Sequence, residues 1–515
     1  MSTEDEYRQN RMNKLEGLRE QGVEPYPYRY VRSHVIHQIR EQYGDIDGET
    51  KSEESIKTAG RITNWREMGR TIFADIWDQS GRIQIFLNKK VLGNDAFKQL
   101  KLWDLGDWVG VEGPVFLTRT GELSIMVEKT EFLSKALRPL PDKHAGLTNP
   151  ELIYRDRSAY FTSAPEERDH FLKRSQAISE VREFMIGRGY VEVDTPLMQP
   201  VYGGAAARPF TTEVHAIDET YYLQISPELY LKRLIAGGFE KVFTICKNFR
   251  NEGIDKTHNP EFTMMECYEA YADYNDMMAL TEELYEHVFM AVNGGTRISI
   301  GEDEEEQVEI DFAASWPREK FLDMVHEHSG IDVSNLDTDA LQQALLALPE
   351  NHLLFEEELP REDVEKHTWG ELVQIMFEFF CERHLIQPTF IIDHPVESTP
   401  LCKIHREDPR LIERFEPFAF GWELGNAYSE LNDPIRQREL LNEQVEMGRG
   451  GDEEAHPLDE DFLAAVELGL PPTGGLGIGI DRMIMLLTNR LNIKDVILFP
   501  FAKSGKAEGE KPEES

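Results

Sequence analysis

The sequence predicts an α+β chain, with a small N-terminal β-barrel ahead of a larger domain built on an antiparallel β-sheet flanked by helices. Three observations carry this. Between about Ile56 and Leu133, short apolar–polar alternations are separated by turn signals, as in Thr71-Ile-Phe-Ala-Asp-Ile76, Gln79-Ser-Gly81 and Arg82-Ile-Gln-Ile-Phe-Leu87. That is the pattern of a barrel of short strands. From Glu240 to Tyr271, two runs rich in β-branched and aromatic residues flank the turn-rich Gly253–Pro260, which reads as a long hairpin. Near the C-terminus, Gly475-Leu-Gly-Ile-Gly-Ile-Asp-Arg482 sets three glycines at period two ahead of an apolar helix.

Taken in order, residues 1–55 are a helix and connector. Residues 5–21 read as helical, with Arg8, Arg11, Lys14 and Arg19 spread along them, and Pro25-Tyr-Pro-Tyr28 ends the segment. Residues 1–40 hold seven Lys/Arg against six Asp/Glu, a surplus of one in a chain of net charge −40. Residues 56–134 form the barrel. If Ile72, Ala74, Ile76, Ile83, Ile85 and Leu87 face its core, then Phe73, Gln84 and Phe86 face out. An outward aromatic beside an outward amide suits stacking on, and reading, single-stranded bases.

Residues 135–149, with Pro139 and Pro141, read as a linker to the large domain at 150–503. Glu167 to Gly189 reads as its first long helix. Glu302-Asp-Glu-Glu-Glu306 reads as a solvated loop, because adjacent carboxylates on a loop have no fixed geometry for a metal. Residues 313–386 read as a helical insertion, Met447 to Asp461 as a Gly- and acid-rich loop, and 504–515 as a charged, disordered tail.

Composition narrows the function classes. No apolar stretch reaches spanning length and the N-terminus lacks the pattern of a secretory signal, which predicts a cytoplasmic protein with no membrane partner. The four cysteines, Cys246, Cys267, Cys381 and Cys402, lie far apart without a Cys-x-x-Cys. They argue against a zinc site or a disulfide framework. A charge of −40 repels polyphosphates in dilute buffer. Either no nucleic acid is bound, or the protein works in a salt-rich cytoplasm, since the Debye length falls to about 3 Å at molar salt. Full stability and activity in dilute buffer would overturn the second reading.

The chemistry is read from strand parity. Side chains alternate along a strand, so Arg250 and Glu252 share a face, as do Phe262, Met264, Glu266 and Tyr268. A core-facing strand would not set Glu266 and Tyr268 in register with Phe262, whereas one facing a polar, flat, charged ligand would. Asn426, Tyr428 and Glu430 likewise share parity. Converging carboxylates with a phenol suit an ammonium on a flexible stem, not a carboxylate. The glycines before Arg482 leave room for a flat group or a phosphate to approach the backbone, and Arg482 can take a phosphate bidentately.

These segments resemble the class II aminoacyl-tRNA synthetases. Phe249-Arg-Asn-Glu252 with His258-x-x-x-Phe262 resembles their motif 2, Gly475-x-Gly-x-Gly-x-x-Arg482 their motif 3, and Gly189-Tyr-x-Glu-x-x-Thr-Pro196 the motif 1 that builds a dimer interface. Gly203-Gly-Ala-Ala-Ala-Arg-Pro-Phe210, Pro227-Glu-Leu-Tyr-Leu-Lys232 and Glu423-Leu-Gly-Asn-Ala-Tyr-Ser-Glu-Leu-Asn432 resemble the lysyl branch, and the match covers nearly the whole chain. The resemblance implies an OB-fold anticodon-binding barrel, with Phe73 stacking on and Gln84 reading the central anticodon base, and a phosphate-contacting N-terminal helix. It implies a homodimer that joins L-lysine to tRNA(Lys) with ATP and Mg²⁺. Arg250 would bridge the lysine carboxylate and the α-phosphate, and His258 and Arg482 would hold the far phosphates, Arg250 and Arg482 being the catalytic pair. Phe262 would stack on adenine and Glu252 would meet its amine. Glu416 and Glu423 would hold magnesium. Glu430, Tyr268 and Glu266 would bind the ε-amine, in a pocket that Tyr428 also lines. Gly204 and Glu228 would bind the α-amine, and Asn426 would join Arg250 on the carboxylate.

Three positions depart from that branch. Thr211-Thr-Glu-Val-His215 stands where Thr-His-His-Asn is usual, Gln224 replaces an arginine, and Tyr428 replaces a phenylalanine. An aspartyl or asparaginyl enzyme would need a cationic pocket, which Glu266 and Glu430 oppose. A non-catalytic RNA-binding paralogue would be expected to lack Arg250, Glu423 or Arg482. A lysyl transferase acting on protein would be expected to lack the barrel.

Overall fold

The structure, a computed structural model, describes residues 3–46, 50–141, 147–302, 307–449 and 456–502. The expectations for 142–146, 303–306, 450–455 and the 504–515 tail lie outside these residues. The chain divides into two compact units, residues 1–149 with 158–165, and residues 150–157 with 166–515.

In the first unit, helix α1 (Thr3–Glu20) buries Leu15 and Leu18. Its basic residues are not all available to phosphate. Arg11 is buried and donates to the carbonyls of Ala136, Arg138 and Leu105 at 2.7–3.0 Å, and Lys14 pairs with Asp104 at 2.6 Å. Strands β1 (Lys51–Met68), β2 (Thr71–Asp78), β3 (Gly81–Asn88), β4 (Trp108–Leu117), β5 (Leu123–Val127) and β6 (Lys129–Ser134) follow. They run in the order β1-β2-β3-β5-β4-β6, and β1 also pairs with β4. That second pairing closes a five-stranded barrel, leaving β6 outside, which is the OB architecture. The parity holds: Ile72, Ala74, Ile76, Ile83, Ile85 and Leu87 are all buried in one core.

The outward face is less open than parity alone predicts. Phe73 is half-buried, its ring 4.9 Å from that of Phe86, which packs in turn on Phe116 at 5.9 Å. Gln84 does not face solvent. It is 7% exposed and its Oε1 accepts from the Ser124 hydroxyl at 3.0 Å. The parallel pairing of β3 with β5 sets Gln84 against Ser124, a long-range register that no local pattern announces.

The second unit opens with α2 (Asp169–Gly187), β7 (Val191–Glu192) and α3 (Glu228–Ala236). The expected hairpin follows as β8 (Lys241–Phe249) and β9 (Glu261–Ala270), paired antiparallel from Lys241–Glu269 to Phe249–Glu261. Next comes α4 (Tyr274–Asn293), held at its start by an Asp273–Asp276 capping box and stopped by left-handed Gly294. Strands β10 (Arg318–Lys320), β11 (Thr389–Pro395), β12 (Leu411–Ala419), β13 (Gly425–Ser429) and β14 (Thr473–Gly479) complete the sheet, and α5 (Ile480–Leu487) follows β14. The order is β10-β11-β12-β13-β14-β9-β8-β7, antiparallel except for the two outermost pairs. Between β10 and β11, helices Phe321–Ser329, Thr338–Leu346, Leu353–Glu357 and Trp369–Phe380 enclose a core of their own around Phe321, Leu341 and Phe377.

The sheet has one dry face and one polar face. Met265, Cys267, Phe415, Ala427, Leu476 and Ile478 point into a core shared with α2, α4 and α5. The alternate residues, Glu266, Tyr268, Arg414, Glu416, Asn426 and Tyr428, therefore point the other way. Part of that face packs on α3, where Val242, Ala270 and Ile412 meet Leu229, Leu231 and Ile235, and the rest lines a cavity.

Candidate active site

The cavity over the polar face is about 490 Å³, a usual size for a small-molecule site. Its floor is β14. Two cross-strand rows run over it, Glu266–Gly477–Asn426 and Tyr268–Gly475–Tyr428. Neighbouring strands lie about 4.8 Å apart, so the two walls of each row stand about 9.6 Å apart over a glycine. A Cβ on Gly475 would lie 2.0 Å from Glu430 Oε1 and 2.6 Å from the Tyr268 ring, and one on Gly477 would lie 3.1 Å from Met264. These two glycines thus make room for the pocket's own side chains. Only at Gly479 is nothing closer than 3.6 Å, so the expected open approach for a flat group is confined to that end.

Arg250, Glu252, His258, Phe262, Gly204, Glu228, Glu266, Tyr268, Asn426, Tyr428, Glu416, Glu423 and Arg482 all line this one cavity. Glu430 does not. It is 1% exposed and borders a second cavity, although its Oε1 stands beside the gap left by Gly475. Phe73 and Gln84 belong to the barrel unit.

At one end the groups are exposed or half-buried and hang from turns. Strand β8 stops at Phe249, so Arg250 and Glu252 are placed by the loop, not by the strand parity expected for them. The Arg250 guanidinium lies 5.2 Å over the Phe262 ring, and its Nε has no hydrogen-bond partner. Asp255 accepts from the amides of Thr257 and His258 at 2.6 and 2.7 Å and meets His258 Nδ1 at 2.8 Å. Burial alone would raise Asp255, but these hydrogen bonds outweigh it and hold its carboxyl down at about 2. Arg482 Nη2 faces His258 Nε2 at 3.1 Å. Arginine only donates and a carboxylate only accepts, so the proton sits on Nδ1 of His258. Arg482 also reaches Glu423 Oε2 at 3.4 Å. The start of α5 is pinned by Asp481, which accepts from the Thr263 amide at 2.6 Å and pairs with Arg174 at 2.5 Å.

The other end is buried. Gly204 has φ +86°, and a Cβ there would lie 2.9 Å from both Glu228 and Ser226, so shape and backbone conformation both require glycine. Ser226 Oγ donates to Glu266 at 3.1 Å and accepts from the Glu228 amide at 3.1 Å. Burial, helped by nearby Glu228, pushes the Glu266 carboxyl up to about 8, with Ser226, Arg250 and Lys232 working against the rise. The Tyr428 hydroxyl donates to Glu228 Oε2 at 3.1 Å. Asn426 Oδ1 accepts from Arg414 Nε at 2.8 Å, which turns the amide so that its NH₂ remains to donate.

Three residues of the site were not singled out from the sequence. Arg414 joins Asn426 to Glu416, and its shared parity with Glu416 was the available signal. Ser226 carries no pattern of its own. Lys232, one helical turn after Glu228, pairs with both Glu228 and Glu430. Gln224, the replaced arginine, is fully buried. It accepts from Thr195 Oγ1 at 2.9 Å and donates to Asn248 Oδ1 at 2.9 Å, tying the segment before α3 to β8.

Glu416 and Glu423 both face the cavity. Burial pushes the Glu416 carboxyl up to about 7, with Arg414 opposing and Glu423 and Glu378 adding to the rise. Two carboxylates that repel each other beside a polar cavity fit a hard divalent cation. Among the described residues no three His, Cys, Asp or Glu side chains converge as a complete metal cage, so such an ion would take further oxygens from its substrate and from water.

Residues 149–503 match the family described as tRNA synthetases class II (D, K and N), and residues 56–133 match the OB-fold nucleic acid binding domain. Among curated relatives, a lysine–tRNA ligase of Clostridium perfringens is 47% identical over 497 residues, 96% of each chain. Another from Methanoculleus marisnigri is 47% identical over 508 residues, 98% of this chain and 97% of its own. A third, from Pelotomaculum thermopropionicum, is 47% identical over 498 residues, 96% of this chain and 94% of its own.

Proposed function

Because the chain belongs to the class II tRNA synthetases, with lysine–tRNA ligases as near full-length relatives, we propose that the glycine-floored cavity is where lysine and ATP react. The activity is lysine–tRNA ligation. A lysine carboxylate oxygen attacks the α-phosphorus of ATP, the bond to pyrophosphate breaks, and lysyl-adenylate forms. A ribose hydroxyl at the 3′ end of tRNA(Lys) then attacks the carbonyl carbon, and AMP leaves with the bonding electron pair.

Such a transfer needs positioning and charge neutralisation more than a protein base. Arg250, with a free Nε, bridges the lysine carboxylate and the α-phosphate, and the Asn426 NH₂ takes the second carboxylate oxygen. Arg482 and His258 hold the outer phosphates. Phe262 lies under adenine, with Glu252 on its amine. A divalent cation, magnesium by its preference for phosphate and carboxylate oxygens, would sit on Glu416 and Glu423 and offset charge on the phosphates. Gly204 and Glu228 receive the α-amine, while Glu266, Tyr268 and Glu430, beside Tyr428, receive the ε-amine. The observation that carries this reading is the pair of buried carboxylates Glu228 and Glu266 lining one end of the cavity, with buried Glu430 behind the gap at Gly475. An aspartate side chain would be repelled there.

The barrel's Phe73 stacks on the anticodon and Gln84 reads its central base, once Gln84 gives up its bond from Ser124. Exposed Ile186, Val191, Leu197 and Met198 around motif 1 support a homodimer. Among the described residues no helix is long and apolar enough to cross a membrane, and a cytoplasmic location suits the substrates.

The test is ATP–pyrophosphate exchange with magnesium across the twenty amino acids and ornithine, at low and molar KCl. Exchange with lysine is expected. Ornithine, one methylene shorter, should lose only about 1–3 kcal/mol of binding. Exchange with aspartate or asparagine would overturn the pocket assignment.

A further inference from the structure

Lys232 has no role in the reaction as derived, yet it lies at the centre of the amino-acid end. Its side chain is fully buried, with Nζ 2.5 Å from Glu228 Oε1 and paired also with Glu430 Oε2. Its ammonium lies 5.8 Å from the Tyr428 ring centre and 6.0 Å from that of Phe462. Glu228 comes from its own helix, Glu430 from the end of β13, Tyr428 from β13, and Glu266 and Tyr268 from β9. Cys402, whose backbone pairs with that of Glu430, and Arg414 and Glu413 lie close by. Glu430 is thus divided. One oxygen takes Lys232. The other, Oε1, has no hydrogen-bond partner and stands where a side chain on Gly475 would be, beside the Tyr268 ring. A buried carboxylate oxygen without a donor calls for one, and this one lies at the gap in the cavity floor.

We propose that Lys232 is a positioning residue for amino-acid selection, a built-in counterion that holds Glu228 and Glu430 aimed at the lysine site before substrate arrives. The proposal rests on the lysine-site reading above. Without an internal cation, buried Glu430 would resist ionising beside Glu228 and Glu266. Burial, Glu228 and Glu266 do raise Glu430, and Lys232 opposes that rise. Burial alone would lower the Lys232 ammonium, but Glu228 and Glu430 reverse this and hold it well above its ordinary value. One fixed ammonium and one incoming ammonium then share the carboxylates, the fixed one setting their spacing and the incoming one meeting only the oxygens it leaves.

The experiment measures KM for lysine and for ATP by pyrophosphate exchange, from pH 6.5 to 9, in the full-length wild type, K232M and K232R. The expected result is a lysine KM at least tenfold higher in K232M, with ATP KM within twofold. That increase should shrink towards pH 9, as hydroxide ionises what the ammonium held ionised, and K232R should recover most of the loss. Should K232M not fold, K232Q keeps a donor on the carboxylates and carries the same expectation. An unchanged lysine KM, or lysine and ATP KM rising together at every pH, would overturn the proposal. Absence of lysine-dependent exchange in the wild type would instead overturn the lysine-site reading itself.

Discussion

The two ends of the cavity hold charge in opposite ways. At the Arg482 end, Glu252 and His258 are exposed and hang from a loop, and the partly open Arg482 is shared between His258 and Glu423. At the Glu266 end, Glu228, Glu266 and Glu430 are at most 5% exposed and are held by Lys232, Ser226 and Tyr428. Exposed charges attract weakly and adapt. Buried ones discriminate, because a wrong occupant leaves them unpaired. The contrast fits a ligand of many phosphate oxygens at one end and a small amino acid at the other.

Four measurements sharpen or break that contrast. The largest effect is expected where the ends meet. R250A should lower lysine-dependent exchange by about a hundred- to a thousandfold, acting on kcat more than on either KM, and an effect on ATP KM alone would remove Arg250 from the junction. Next, E266Q should raise lysine KM by about ten- to a hundredfold, the usual cost of losing a buried charged partner, while ATP KM stays put. G475A should push Glu430 and Tyr268 aside, costing about 1–3 kcal/mol of stability and raising lysine KM. A neutral result in thermal denaturation and exchange would mean that the walls relax freely. H258A, at the exposed end, should raise ATP KM only about fivefold, the scale of an exposed ionic contact.

The buried end also titrates. Glu266 has its carboxyl raised to about 8 against an ordinary 4.5. Between those values the folded protein holds a proton that the unfolded chain has lost, so this group's contribution to stability falls as pH rises through that window. Lysine arriving at pH 7 should favour the ionised carboxylate and expel the proton. Calorimetry in two buffers of different ionisation enthalpy should register proton release in the wild type and less in E266Q.

Much of this was legible in the sequence because strand parity is local. Glu266 with Tyr268, and Asn426 with Tyr428, could be assigned to one face from alternation alone. The hairpin and the inward barrel residues followed from the same period. Register between distant strands was not legible. That β14 lies between β9 and β13, so that glycines separate the two walls, depends on one pairing across about 200 residues of chain and another across about 50. The covering of Gln84 by Ser124 and the placing of Glu430 behind Gly475 fail for the same reason. Lys232 lies within the Pro227–Lys232 segment with no task legible there, because one lysine on a helix reads as surface charge until two carboxylates close on it.

The floor of β14 bears on how such a pocket can change. Gly475 and Gly477 are already the smallest residues available, so no substitution there enlarges the chamber and every one shrinks it. A laboratory or a lineage seeking a different amino acid must work from the flanking strands, at Glu266, Tyr268, Asn426 or Tyr428. Tyr428, whose hydroxyl already leans on Glu228, is the position where one added or deleted oxygen alters the chamber without moving the backbone.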